Sequence, residues 1–294
     1  MINAPNVQEW LSAITLVYWI VALIGACVAW KLAASRSTKI IGVVLVVGFF
    51  LYWPVSDAVR NTMERSAFNK RYEAAAARFA ERCMIAGDKI VRTVDDVEGI
   101  VVLKLRTTKD VGYGHEQYAP GAAFYRESTE QEYLTSFLWY EERTDGRRGR
   151  LNTRRTNFSG YAFVDAVDPS NRKMYRYRLV EKPDRNFPEG VRRIPERTLA
   201  IEPAPRYGVT FEDSAEPQDR EHWIAISTIK VIDLSTNEEI ATHTRVAFDR
   251  ALGGLGGGRQ PWAFAQFCPA IGPIYAAQTR HFVDQVLRPN TRKW

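Results

Sequence analysis

The densest run of arginines in the sequence is RTDGRRGRLNTRR, residues 143–155. It holds six arginines, and its two glycines favour a loop. A guanidinium group presents a planar fork that suits carboxylate or phosphate, so clustered arginines predict contact with an anionic partner. A solvated loop is the alternative interpretation. The residues that we expect to bind an anion are Arg147, Arg148, Arg150, Arg154 and Arg155.

Patterns typical of metal and catalytic sites are missing from the sequence. The glycine-rich run GGLGGGRQ, residues 253–260, lacks the spacing of a phosphate-binding loop, and STIK, residues 227–230, lacks the partner motifs of penicillin-binding enzymes. We therefore predict no metal and no cofactor, and we name no catalytic residue. Enzymatic activity stays open, with a protein that is not an enzyme as the favoured interpretation. The four histidines have no second ligand at metal-binding spacing: His115, His222, His243 and His281.

Two of the three cysteines can form a pair. Cys27 lies within an uncharged run, which leaves Cys83 on the apolar face of a helical pattern and Cys268 in an aromatic, proline-containing turn. Outside the reducing cytoplasm an even pair is expected to join. We predict a disulfide between Cys83 and Cys268, which would contribute about 4–5 kcal/mol by closing a long loop. Two buried free thiols are the alternative.

The first 56 residues predict a transmembrane helical hairpin. Residues 11–30 and 40–56 carry no charge. At about 1.5 Å rise per residue the first run is long enough to span a bilayer core, and the second is at the short end of the spanning range. Aromatic residues stand at the ends of both runs, as in an interfacial belt. The box IGAC, residues 24–27, resembles a lipoprotein signal, but the segment before it has no positive charge. The belt residues are Trp10, Trp30, Tyr52 and Trp53.

Orientation follows from the basic gap between the two runs. Lys31, Arg36 and Lys39 occupy it without an acidic residue, whereas the first ten residues hold only Glu9. Short loops rich in Lys and Arg resist translocation, and long domains cross largely regardless of charge. We therefore predict a bacterial inner-membrane protein with the loop 31–39 in the cytoplasm and both termini in the periplasm.

The remaining chain predicts an α+β fold. Residues 57–87 have the pattern of a juxtamembrane helix, and residues 88–294 that of an antiparallel, β-rich extracytoplasmic domain with a C-terminal helix. Two hairpins are indicated, one around the turn DPSN and one around the turn STNEE. Residues 128–142 fit either a helix or a strand, and Ser128 with Gln131 favours a capped helix.

Composition limits the classes of partner. The chain has 294 residues and a formal net charge of +6, which is too modest to predict nucleic-acid binding. The expected partners are the lipid bilayer, through two spans, and a protein of unknown identity; the oligomeric state is not readable.

Three functional interpretations remain. The first is a membrane-anchored, protein-binding module of the cell envelope with a structural, assembly or protective role. The second is an anchored hydrolase or transferase with dispersed catalytic residues. The third is a sensor of polyanions or lipid headgroups that uses the arginine-rich loop.

Overall fold

A computed structural model describes residues 7–111, 117–143, 155–185, 190–200, 203–214, 216–270 and 278–290. The chain forms two compact units, Met1–Arg71 and Tyr72–Trp294, and their boundary falls within a long helix. The domain bounds predicted from the sequence remain a prediction.

The first unit contains two apolar helices, α1 (Val7–Leu32) and the first part of α2 (Arg36–Cys83). By length and composition both are able to cross a membrane. Small residues let them pack closely, since a Cβ added at Gly25 would lie 3.2 Å from Val46. Ser35 and Thr38 each accept a hydrogen bond from the backbone N–H of the other, which caps the start of α2.

The second unit is built on a nine-stranded sheet in the order β1–β11–β10–β9–β3–β6–β7–β8, with β12 paired to β11. Most pairs are antiparallel, but β3 runs parallel to both β6 and β9. Two further pairs lie off the sheet, β2 with β13 in parallel and β4 with β5 antiparallel. The strands are β1 (Gly87–Ile90), β2 (Val94–Val97), β3 (Gly99–Val102), β4 (Trp139–Arg143), β5 (Arg155–Ser159), β6 (Phe163–Val167), β7 (Met174–Pro183), β8 (Val191–Leu199), β9 (Tyr207–Ser214), β10 (Ile224–Asp233), β11 (Glu238–Phe248), β12 (Gln266–Cys268) and β13 (Leu287–Pro289).

Both faces of the sheet are covered. The last turns of α2 pack Ala75 and Phe79 on one face, against Ile224 and Phe248. The helices α3 (Glu130–Leu138) and α5 (Gln278–Val286) cover the other face, while the short α4 (Pro217–Glu221) precedes β10. Because side chains alternate along a strand, β10 and β11 each contribute apolar residues to both layers.

The α+β class is confirmed as N-terminal helices, a β-rich sheet domain and a C-terminal helix. Both predicted hairpins are present as β6–β7 and β10–β11. The prediction of an antiparallel sheet is wrong at β3, which has two parallel neighbours. The segment 128–142 is a helix followed by a strand, and Thr129 rather than Ser128 is the helix N-cap.

Candidate functional site

The residues predicted to set the membrane orientation lie around the turn between the two helices. Lys31 ends α1, Arg36 begins α2, and the Lys39 ammonium lies 5.7 Å from the centroid of the Trp30 ring. This contact places a cation beside an aromatic side chain at the end of an apolar helix, as expected of an interfacial position.

The arginines predicted to bind an anion lie almost entirely outside the described residues. Arg147, Arg148, Arg150 and Arg154 lie outside the described residues, and Arg155 begins β5. The prediction that these residues contact an anion therefore stays untested.

The two cysteines that were predicted to form a disulfide lie close to each other. Both are free thiols in the structure, with Cys268 Sγ 3.8 Å from the backbone oxygen of Cys83. Burial, and next the neighbouring Cys268 thiol, raise the pKa of Cys83 to about 12. The disulfide predicted from the sequence is not formed here, although the fold places its two partners side by side, and it remains a prediction.

A layer of buried charge lies on the sheet face that α3 and α5 cover. Arg106 is 0% exposed and Arg245 is 3% exposed, and each has a buried carboxylate beside it. Arg245 shares its side of β11 with Ala241 and Ala247, both buried. The layer therefore interrupts the apolar core with two cations and two anions.

Two ion pairs make up this layer. Arg106 donates to Asp213 through Nη1 and Nη2, over 3.1 and 3.3 Å, and through Nη2 to Ser227 Oγ over 3.3 Å. Arg245 Nη1 donates to Glu127 Oε2 over 2.6 Å and to Gln278 Oε1 over 2.8 Å. These bonds join the loop before α3 to β9, β10, β11 and α5.

The electrostatics of the site favour the charged forms of Glu127 and Arg106 at neutral pH. Burial by itself would raise the pKa of Glu127, but the charges of Arg245 and Arg106 and the N–H of Thr279 hold it below the usual range. Burial would lower the pKa of Arg106, and the charges of Asp213 and Glu127 raise it above its usual value. Neighbouring opposite charges therefore favour the charged forms of Glu127 and Arg106.

A pocket of about 310 Å³ opens beside the second pair. Arg245 and Glu127 line it together with several aromatic rings. Phe264 is 75% exposed at this pocket, whereas Trp262 is 3% exposed and donates its indole N–H to the backbone oxygen of Gln117. The aromatic lining residues are Phe124, Tyr125, Trp262, Phe264 and Phe267.

Arg245 is not fully satisfied by its neighbours. Its Nε and Nη2 are buried, and neither makes a hydrogen bond within the part of the chain that the structure describes. A buried donor without an acceptor is costly and uncommon in native proteins. The combination of spare donors and an aromatic pocket makes this the candidate binding site.

No protein-family model, curated protein or solved structure matches this chain. The function must therefore be inferred from the site itself. The sequence analysis missed Arg245 and Glu127. The signal for Arg245 is an arginine that shares its side of β11 with Ala241 and Ala247. Glu127 gives no such signal, because it lies in a loop segment without a repeating pattern.

Proposed function

We propose that this chain is a membrane-anchored binding module whose β-rich domain lies outside the cytoplasm and binds a protein partner. Bacterial inner membrane is the location that the spacing of charge and aromatic residues favours. The support for the anchor is the pair of helices that are long and apolar enough to cross a bilayer.

The observation that carries the binding role is a group of aromatic side chains with two exposed members, which we call the aromatic surface and define as Tyr118, Trp223, Trp262 and Phe264. Tyr118 contacts Trp223 with ring centroids 5.3 Å apart, and Trp223 contacts Trp262 at 5.5 Å. Tyr118 is 62% exposed, and Phe264, which lines the same pocket as Trp262, is 75% exposed, whereas Trp223 and Trp262 are buried. Aromatic side chains with a buried arginine nearby are the composition typical of protein interfaces and their energetic centres.

Site-specific photo-crosslinking in intact cells tests this role. We expect a benzophenone amino acid at position 264 of the full chain to give an adduct of discrete mass with a protein partner. The same group at Leu199 is the matched control, because this residue is 56% exposed at the end of β8, the far edge strand of the sheet. Equal labelling at both positions, or none at 264, would reject the aromatic surface as a partner-binding site.

A further inference from the structure

The two unpaired nitrogens of Arg245 belong to one edge of its guanidinium group. Nε and Nη2 point in nearly parallel directions and form a fork that matches the two oxygens of a carboxylate. The same protein uses this edge elsewhere, since Arg176 donates from Nε and Nη2 to the two oxygens of Asp165, over 2.8 Å each. Glu127 and Gln278 accept hydrogen bonds only from Nη1 of Arg245. The fork formed by Nε and Nη2 therefore has no acceptor among the described residues.

A carboxylate would satisfy both spare donors of Arg245 at once. Its two oxygens would accept hydrogen bonds from Nε and Nη2, which removes the cost of two buried donors without acceptors.

The rest of the pocket lining limits which kind of ligand can carry the carboxylate. This wall is aromatic and apolar. It consists of Phe124, Trp262 and Phe267 together with Phe264, which is the exposed member. A volume of about 310 Å³ stands at the small end of ligand pockets, enough for one ring or one apolar side chain. Because Nε and Nη2 are buried, a wall side chain must move to admit the carboxylate, and Phe264 is the least enclosed of them.

We propose that this pocket binds a carboxylate carried on a small apolar or aromatic body, with the Arg245 fork holding its two oxygens. The inference deepens the proposed function and rests on it where the carboxylate is the C-terminus of a protein partner. A free aromatic acid would offer the same chemistry, and the two sources are separated by measurement.

The test uses the full chain in nanodiscs of neutral phosphatidylcholine and calorimetric titration. The probes are 3-phenylpropionate, the peptide acetyl-Gly-Gly-Phe with a free carboxylate, and the same peptide as its C-terminal amide. We expect a carboxylate probe to bind at least about tenfold more tightly than the amide, since the amide cannot accept from both nitrogens. Tighter binding of the peptide acid assigns the site to a protein C-terminus, and tighter binding of 3-phenylpropionate assigns it to a free acid.

Two variants sharpen the test. Arg245→Lys removes the fork but keeps the charge, and we expect it to weaken the carboxylate probe at least about tenfold. Arg206→Lys is the matched control, because Arg206 already donates hydrogen bonds from Nε and Nη2 to Asp233 and does not line this pocket. Thermal melting of both variants reports whether they fold.

Measurable and equal binding of the acid and the amide peptide by the parent protein, or binding of none of the three probes, overturns the proposal whatever the variants do. A folded Arg245→Lys protein that binds the acid as tightly as the parent also overturns it. If the acids fail while the crosslink at position 264 persists, the ligand class is wrong and the binding module stands. If acids bind and the crosslink is missing, the pocket is a small-molecule site and the protein-binding function fails.

Discussion

At the scale of single residues, the Glu127–Arg245 pair ties function to stability. Changing Glu127 to Gln keeps the shape of the side chain and removes its charge, which leaves the buried Arg245 without a counter-ion. We expect the free energy of unfolding to fall by about 3–5 kcal/mol, as for other buried pairs broken on one side. Urea unfolding of the full chain in detergent measures the change.

The double variant Glu127→Gln with Arg245→Met supplies the control. It removes both charges together, so it should recover a large part of the stability lost in the single variant. If the double variant instead loses the sum of the unfolding free energies lost by Glu127→Gln and Arg245→Met alone, the two side chains do not stabilise each other.

The Cys83 and Cys268 thiols carry a second prediction at this scale. Burial and the neighbouring Cys268 thiol raise the pKa of Cys83, so the thiolate of Cys83 is scarce near neutral pH. A disulfide between the two cysteines is expected in an oxidising compartment. We expect protein alkylated at lysis to run faster on a non-reducing gel than on a reducing gel. Cys83→Ser and Cys268→Ser should each abolish this difference, and Cys27→Ser should retain it.

Identical mobility of the parent and both serine variants, with and without reductant, would show that the pair stays reduced. The sequence could pair these residues because only two cysteines lie outside the apolar runs. It could not show that the two thiols approach each other, since that depends on β12 joining β11 beside the end of α2.

At the scale of elements, the connection between β5 and β6 depends on a close backbone approach. Gly160 donates its N–H to the backbone oxygen of Leu138, and a Cβ there would lie 2.0 Å from the oxygen of Phe137. We expect Gly160→Ala to destabilise the second unit by about 1–3 kcal/mol, because neither backbone can move without breaking this turn. That loss should lower the melting temperature by several degrees.

Gly256→Ala is the matched control for this prediction. A Cβ at Gly256 meets no atom within 4 Å, and its backbone does not have positive φ. A melting temperature for Gly160→Ala no lower than that of Gly256→Ala would show that the turn tolerates a side chain.

Local pattern explains which elements were readable from the sequence. The β10–β11 hairpin has alternation on both strands and a polar turn, so it was predicted. The segment VRRIPERTL was missed because it is charged and contains Pro195. It forms β8, the edge strand of the sheet, where a missing N–H is tolerated. The segment 128–142 was ambiguous because it is half helix and half strand.

At the scale of the whole molecule, the order and pairing of the strands could not be predicted from the sequence. β3 joins β6 and β9 in parallel, and β13 joins β2 across most of the second unit. Such pairings depend on packing between distant segments and leave no local period. The buried charge layer was hidden for the same reason, since its members come from five separate segments that only the fold brings together.

The membrane orientation carries the last prediction. If both apolar helices cross the membrane, the two ends of the chain lie on one side, and the basic gap should hold the turn between the helices in the cytoplasm. We expect alkaline phosphatase fused after Trp294 to be active, and green fluorescent protein fused there to stay dark. Replacing Lys31, Arg36 and Lys39 together with Gln should lower phosphatase activity and allow fluorescence, because the charge difference that sets the orientation is gone.

Neutralising Arg60, Arg65 and Lys70 is the matched control. These three residues follow the second apolar run on α2, and they precede a long domain that crosses regardless of its charge. The control should therefore keep the parent orientation. Bright fluorescence and inactive phosphatase in the parent fusion would place the pocket at Arg245 in the cytoplasm, where the reducing environment would also keep Cys83 and Cys268 as thiols. One measurement of orientation thus decides in which compartment both the binding site and the cysteine pair must work.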